Sequence, residues 1–379
     1  MDVYYIVHYD VQNRRYARLT SPATVNYADY IADTFNRLGY NVRIISPVRP
    51  FKAGKYPFEE IKIRDGIGLV LFKSFNATNA FTRALRRVYM DFALSKYLRI
   101  NLKKDDLVVI GHLPSLGKIA SQIKKCKNNK VIYQIGEIFG VVRGQKDLIA
   151  KEFKFFKNAD AYIFSNEKLG ELVSNSRPFV VAYGSYKYEE TMKPKFVDGK
   201  IHCVFAGVFK KDKGVNLAID CTKYLSERYH VHILGFGTDE EIDLIKDNIN
   251  SIQNETKCKV TYDGLLLNDD FTNFLSSCHI GLSTQSVNNE YNDFAFPSKI
   301  LTYMSSKLEV VSSKVSAVYK SKIADDLHFY EGDNPKSLAE TIMSINIDNI
   351  APSSLIKKLD FQYMKDLSQI LDKVINDEY

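Results

Sequence analysis

With 379 residues the chain is long enough for two or three domains, and 45% hydrophobic against 26% charged residues places it among folded globular proteins rather than disordered ones. The net charge of +7 is unevenly carried, residues 1–190 summing to +13 and the rest to −6, so the first half is expected to face something anionic. No apolar run approaches the ~20 residues that span a bilayer, and the first nine residues lack the build of a signal peptide. Five cysteines without a CxxC pair argue against a disulfide framework or a zinc cluster. The expectation is a cytoplasmic protein with five reduced, mostly interior thiols.

Apolar runs alternate with amphipathic stretches along the chain, the pattern of parallel sheets covered by helices on both faces. A strand is predicted at Val3–His8 and a helix at Val25–Leu38, with Val25, Ala28, Ile31, Ala32, Phe35 and Leu38 on one face. Further strands are predicted at Asn41–Ser46, Leu107–Gly111, Lys130–Ile135, Ala161–Ser165 and Phe179–Ala182. Tyr183–Gly199 loses this periodicity and carries Gly184 and Pro194, as a linker does. A second cycle follows, with strands at Ile201–Ala206, Val231–Leu234, Lys259–Tyr262, Ile280–Ser283 and Val310–Ser312. The closing stretch Ser354–Asp377, after the capping residue Ser353, is helical, with Met364, Leu367, Leu371 and Val374 on one stripe. The class is therefore α/β, with two tandem Rossmann-like doubly wound domains and a C-terminal helix expected to pack back on the first. The expected division is 1–184, a linker at 185–199, a second domain at 200–352 and the helix at 353–379.

Two runs in the second domain have the build of an anion site. In FAGVFKKDKGV (Phe205–Val215) a strand ends at Gly207 and a short loop delivers Lys213 and Gly214 to a helix start, where free amides and a lysine suit a diphosphate. Taken alone, an ordinary strand-loop-helix turn with a solvated lysine is the favoured account of it. In DFAFPSKILTYMS (Asp293–Ser305), Pro297 and Ser298 precede a helix whose first turn carries Lys299, so the Ser298 hydroxyl and Lys299 are placed to help hold a phosphate. An ordinary capped helix is the alternative.

Together these runs, with VAYGS (Val181–Ser185), HILGFG (His232–Gly237), VTYDGLL (Val260–Leu266) and CHIGLSTQ (Cys278–Gln285), resemble the GT-B-fold nucleotide-sugar glycosyltransferases, in particular glycosyltransferase family 4 (group 1). The resemblance implies a second domain that binds a nucleotide-diphosphate sugar and a first domain that binds the acceptor. It places Lys213 on the diphosphate, Ser298 and its helix start on the distal phosphate, and the Asp263–Leu266 loop, with Gly264 and Leu265, near the base. Gly207, Gly235, Pro297, Lys299 and Thr302 complete the implied nucleotide-sugar set. Two departures stand out. Val208 follows Gly207 where the family has an arginine, with Lys210 or Lys211 as substitutes. The family's paired glutamates are replaced, Phe294 standing near the first position and Thr302 at the second.

In the first domain, DLVVIGHLPS (Asp106–Ser115) sets His112 just past a strand end, a ligand position in open α/β sheets. The resemblance puts it near the transferred sugar; a satisfied structural histidine is the alternative. Glu137 ends the next strand and is a candidate for an acceptor hydroxyl, or a helix cap. Arg18 and Ser21 lie in the loop where the family binds its acceptor.

Two basic stretches have a membrane reading. Asn79–Lys104 carries Phe81, Leu85, Val88 and Phe92 at helical spacing opposite Arg83, Arg86 and Arg87, and Gln145–Lys157 interleaves lysines with Phe153, Phe155 and Phe156. Either helix packing its apolar face inward is the alternative. No D-x-D triplet is present and no nucleic-acid motif appears. The expected function is metal-independent transfer of a sugar, with retention, from a nucleotide sugar to a hydroxyl of a glycan or lipid-linked glycan in cell-surface polysaccharide assembly. The setting is cytoplasmic, peripheral at the inner face of the cell membrane, with no cofactor and no nucleic-acid partner. The rival reading is a non-catalytic regulatory or scaffolding partner of the same fold.

Overall fold

A computed structural model describes residues 1–11, 14–188, 194–288, 292, 294–347 and 354–377. The chain forms two compact units, Met1–Ser185 together with the segment from Gln362 onward, and Tyr186–Phe361.

The first unit is built on an eight-stranded sheet in the order β10-β9-β8-β7-β1-β2-β5-β4. In chain order its elements are β1 (Asp2–Ile6), α1 (Pro22–Arg37), β2 (Asn41–Ser46), the short β3 (Lys55–Tyr56), β4 (Glu59–Arg64), β5 (Ile67–Leu71) and the short β6 (Ser74–Phe75). They continue as α2 (Ala80–Asn101), β7 (Leu107–Gly111), α3 (Gly117–Cys126), β8 (Val131–Ile135), α4 (Phe139–Val142), α5 (Lys146–Phe156), β9 (Ala161–Phe164), α6 (Glu167–Val173) and β10 (Phe179–Val181). All neighbours run parallel except β4, which folds back antiparallel on β5. Strands β7, β8 and β9 are buried along their whole length, because helices cover both faces and leave no polar side to alternate with.

The second unit holds a fully parallel six-stranded sheet, β13-β12-β11-β14-β15-β16. Its elements are β11 (Ile201–Val208), α7 (Val215–Asp220), β12 (Tyr229–Phe236), α8 (Asp239–Gln253), β13 (Lys259–Gly264), α9 (Asn268–Ser277) and β14 (Ile280–Ser283). After these come α10 (Lys299–Ser305), β15 (Glu309–Ser313), α11 (Ser316–Tyr319), β16 (His328–Tyr330) and α12 (Pro335–Ser344). One core face gathers Cys203, Phe205, Val231, Ile233 and Ile280 under α7, α8 and α12. The final helix α13 (Ser354–Ile375) buries Tyr363, Leu367, Leu371 and Val374, and Tyr363 meets Tyr30 of α1 at 5.8 Å between ring centroids. Ser353 lies outside the described residues.

The sequence reading omitted β3 to β6 and β16. Glu59–Arg64 at the sheet edge is a charged alternation only partly buried, and β16 has three residues, too few to show a period. The five cysteines are free, and four of them are buried, Cys126 alone being exposed.

Candidate functional site

In open α/β sheets a ligand sits beyond the carboxyl ends of the strands, where the strand order changes direction. In the second unit that point lies between β11, whose chain continues outward through β12 and β13, and β14 on its other side. The loops after β11 and β14 meet there. Thr284 Oγ1 donates to the Gly214 carbonyl at 2.8 Å, and the Ser286 amide donates to the Asp212 carbonyl. Gly214 has a positive φ of 76°, and a Cβ on it would lie 1.6 Å from the Thr284 carbonyl oxygen, so only glycine fits between these loops. Gly235, paired with Gly207 across β11 and β12, is equally constrained by the Gly207 carbonyl.

Helix α10 is fixed over this point by Tyr303. Its hydroxyl accepts from the Ala206 amide at 2.8 Å and its ring lies against Gly281, where any Cβ would collide with it. This orientation drops Lys299 across the strand end. Its Nζ is 3.9 Å from the Phe205 ring centroid and 3.1 Å from where a Gly207 Cβ would stand. That ammonium is buried and has no hydrogen-bond partner among the described residues. Burial, and secondarily the charge of Lys213, lowers its pKa to about 7. A buried cation with no counterion among the described residues, at a strand-end switch point, has the chemistry to receive an anion.

The other residues predicted for this site fall around it. Lys213 sits in the turn before Gly214, its side chain 29% exposed and its Nζ 3.7 Å from Asp212. Ser298 is exposed, already has helical dihedrals and makes no side-chain cap; its hydroxyl, expected to face a phosphate at a helix start, is not engaged with the backbone of its own helix. Pro297 is buried. Thr302 donates back to the Ser298 carbonyl at 3.3 Å. Gly264 ends β13 with a φ of 80°, and Leu265 beside it is 51% exposed. Lys210 is exposed, and the side chain of Lys211 lies outside the described ones.

In the first unit three predicted site residues are committed elsewhere. His112 does follow β7, but its side chain is 1% exposed, with Nε2 2.6 Å from Glu152 Oε1 and its ring 4.7 Å from that of Phe156. Glu152 also accepts from the Phe139 and Gly140 amides at 2.9 and 2.7 Å, closing the start of α4. The imidazole is thus held by a buried carboxylate among aromatic rings, and its Nδ1 has no hydrogen-bond partner among the described residues. Arg18 is 4% exposed and donates to the Val48, Pro57 and Phe72 carbonyls, which corrects its acceptor-side placement. Ser21 is the cap of α1, accepting from the Thr24 amide, because Pro22 begins the helix. Glu137 remains half-buried beyond β8.

In helix α2 the apolar stripe with the membrane reading faces outward. Phe81, Leu85, Val88 and Phe92 are each more than half exposed, while Met90, Leu94 and Leu98 are buried on the other face. In α5 the reverse holds: Phe156 is buried against His112, and Phe155 covers Gly117. Among the described residues no helix is long and apolar enough to cross a membrane.

Residues 200–348 match the family described as Glycosyl transferases group 1. No curated protein matches the chain. Among solved structures, an OtsA apo structure aligns with a TM-score of 0.69 at 10% identity, covering 100% of this chain and 99% of that one. The Escherichia coli structure titled as trehalose-6-phosphate bound with UDP-2-fluoro glucose aligns at 0.65 and 11%, with 100% and 99% covered. A UDP-forming α,α-trehalose-phosphate synthase from Burkholderia xenovorans in complex with glucose-6-phosphate aligns at 0.66 and 9%, with both chains covered completely. At such identities the likeness is one of fold, which is GT-B over the whole length.

Proposed function

We propose that this chain, which has the GT-B fold and whose residues 200–348 match group 1, moves a sugar from a nucleotide-diphosphate sugar to a hydroxyl of a glycan or lipid-linked glycan, with retention of configuration, in cell-surface polysaccharide assembly. The single observation that carries the donor half of this reading is Lys299, a buried ammonium with no counterion among the described residues, at the switch point of the unit that matches group 1. A diphosphate placed there supplies the missing negative charge. The same lysine, with Lys213, stabilises the charge that grows on the phosphate as the glycosidic bond breaks, and it is positioned before the reaction begins. Glycine at 207 and 235 keeps the strand ends free of side chains at this point. Attack from the face the phosphate leaves requires no dedicated protein base, so the departing oxygen takes the acceptor proton. In this reading protein cations do the work of a metal, and Thr302 replaces the family's charged contact to the ribose with one neutral hydrogen bond.

A lipid-linked acceptor is supported by α2. Its outward stripe of Phe81, Leu85, Val88 and Phe92, with Arg83, Arg86, Arg87 and Arg99 on the same helix, suits the cytoplasmic face of an anionic bilayer. Glu137 is proposed on the acceptor side.

The test is thermal stabilisation by a panel of UDP, GDP, dTDP, ADP and CMP species, with and without a chelator. A chelator-insensitive shift by one diphosphate, reduced more than tenfold in affinity by Lys213→Ala, is expected. No shift with any nucleotide would favour a non-catalytic partner of the same fold. Sedimentation with phosphatidylglycerol vesicles should be lost in Phe81→Asp/Phe92→Asp while nucleotide binding is kept.

A further inference from the structure

Four of the chain's seven histidines gather in the second unit, away from the phosphate-site lysines in sequence and sharing no residue with them. His202 on β11 stands directly opposite His230 on β12 in the parallel register, and His232 lies two residues on, on the same face. All three are buried, at 2%, 6% and 4% exposure. One nitrogen from each lies within 4.8 Å of the others.

The surroundings anchor one nitrogen of every ring. Asp198 holds His202 Nε2 at 2.8 Å, Asp263 holds His232 Nδ1 at 3.0 Å, and Thr261 holds His230 Nε2 at 2.9 Å while donating onward to Asp263. His202 Nδ1 and His232 Nε2 then face each other at 2.8 Å. The chain of contacts Asp198, His202, His232, Asp263 has three links. The carboxylates at both ends of this chain of contacts are acceptors, and the two ring nitrogens between them converge on one point. An outer carboxylate on one nitrogen of a ring whose other nitrogen points to a shared centre is how metal-binding histidines are oriented.

We propose that His202, His230 and His232 form a divalent transition-metal site, for Zn2+ first of all, with Asp198 and Asp263 as orienting partners. Nitrogen ligands alone suit zinc, copper or nickel rather than calcium or magnesium. A tetrahedral ion with bonds of about 2.0 Å needs its nitrogens roughly 3.3 Å apart, so the His202–His232 pair opens by about half an ångström to admit it. The ion would cross-link β11 to β12 and, through the two aspartates, tie in β13 and the segment before β11. It is a structural site, independent of how the diphosphate is held.

Purified full-length protein, stripped with chelator, is titrated with Zn2+ alone by calorimetry, and the loaded protein is examined by X-ray absorption. One Zn2+ per chain, a higher melting temperature and a shell of imidazole nitrogen are expected, with affinity falling at least tenfold in His230→Gln and in Asp263→Asn. No stoichiometric binding by the unaltered chain, a sulfur shell near 2.3 Å from the neighbouring cysteines, or binding unchanged in His230→Gln would each overturn the proposal. The absorption measurement needs no variant, so a misfolded mutant does not decide the matter. Nucleotide stabilisation measured on the same stripped protein separates failure of this site from failure of the donor site.

Discussion

Each unit places a basic side chain next to a strand end, His112 after β7 and Lys299 across the end of β11, and the two differ in what answers them. His112 meets Glu152 at 2.6 Å, and Glu152 is itself held by two amides. Lys299 meets a phenyl ring and a glycine, with no acceptor within reach among the described residues. The satisfied pair stabilises its own unit. A cation without a partner costs stability, and in the proposed function a bound diphosphate offsets that cost.

The largest effect that tests the contrast is Glu152→Ala. Removing one member of a buried pair, and with it the acceptor of two amides, should cost about 3–5 kcal/mol, read as a lowered thermal midpoint. A loss under 1 kcal/mol would mean the His112 pocket is not held by that pair. Lys299→Met should act in the opposite sense. Its thermal midpoint is expected to rise by a few degrees, as a lone buried charge is removed, while affinity for the preferred nucleotide diphosphate falls about a hundredfold. Lower stability with unchanged affinity would make Lys299 a packing residue like His112.

A smaller effect follows from pH. Lys299 has a pKa of about 7 in the folded chain against an ordinary lysine near 10.5, so between these values the unfolded state binds the extra proton. The penalty is complete below pH 7 and fades as pH rises toward 10.5; the advantage of Lys299→Met over the parent chain should shrink in parallel. Diphosphate binding needs the charged form, so affinity should decline above pH 7, by up to about tenfold per unit, and isothermal titration in two buffers should show proton uptake. A flat profile from pH 6.5 to 8.5 would break the argument. The smallest effect is expected of His112→Gln, which keeps a donor toward Glu152: nucleotide affinity within about twofold of the parent, since the pair lies in the other unit.

The parallel strands were legible because burial on both faces leaves uninterrupted apolar runs such as Leu107–Gly111 and Ile280–Ser283, whose ends the structure reproduces. The glycines and lysines of the donor site were legible as well, since strand, glycine, short loop and helix start are consecutive in the chain. The three-histidine cluster was not, although His230 and His232 are spaced to share a strand face. Its third member and both aspartates come from other segments, and only the register of β11 against β12 sets His202 opposite His230. Arg18 shows the converse. A basic residue in a loop looks like a ligand contact, yet three carbonyls from residues 30, 39 and 54 positions away accept from its two terminal nitrogens.

Helix α2 marks the boundary between the two kinds of information. Its sequence carries two apolar stripes, Phe81 to Phe92 and Met90 to Leu98, and periodicity assigns neither to the interior. The sequence by itself determined the class and the two cycles of strand and helix, and it singled out the residues of the proposed donor site, because these rest on local spacing and on burial on both faces. Tertiary structure alone decided which stripe faces out, that His112 is answered and Lys299 is not, and that three histidines share one centre. Those outcomes depend on partners tens of residues away, and no local pattern encodes whether a buried charge will find one.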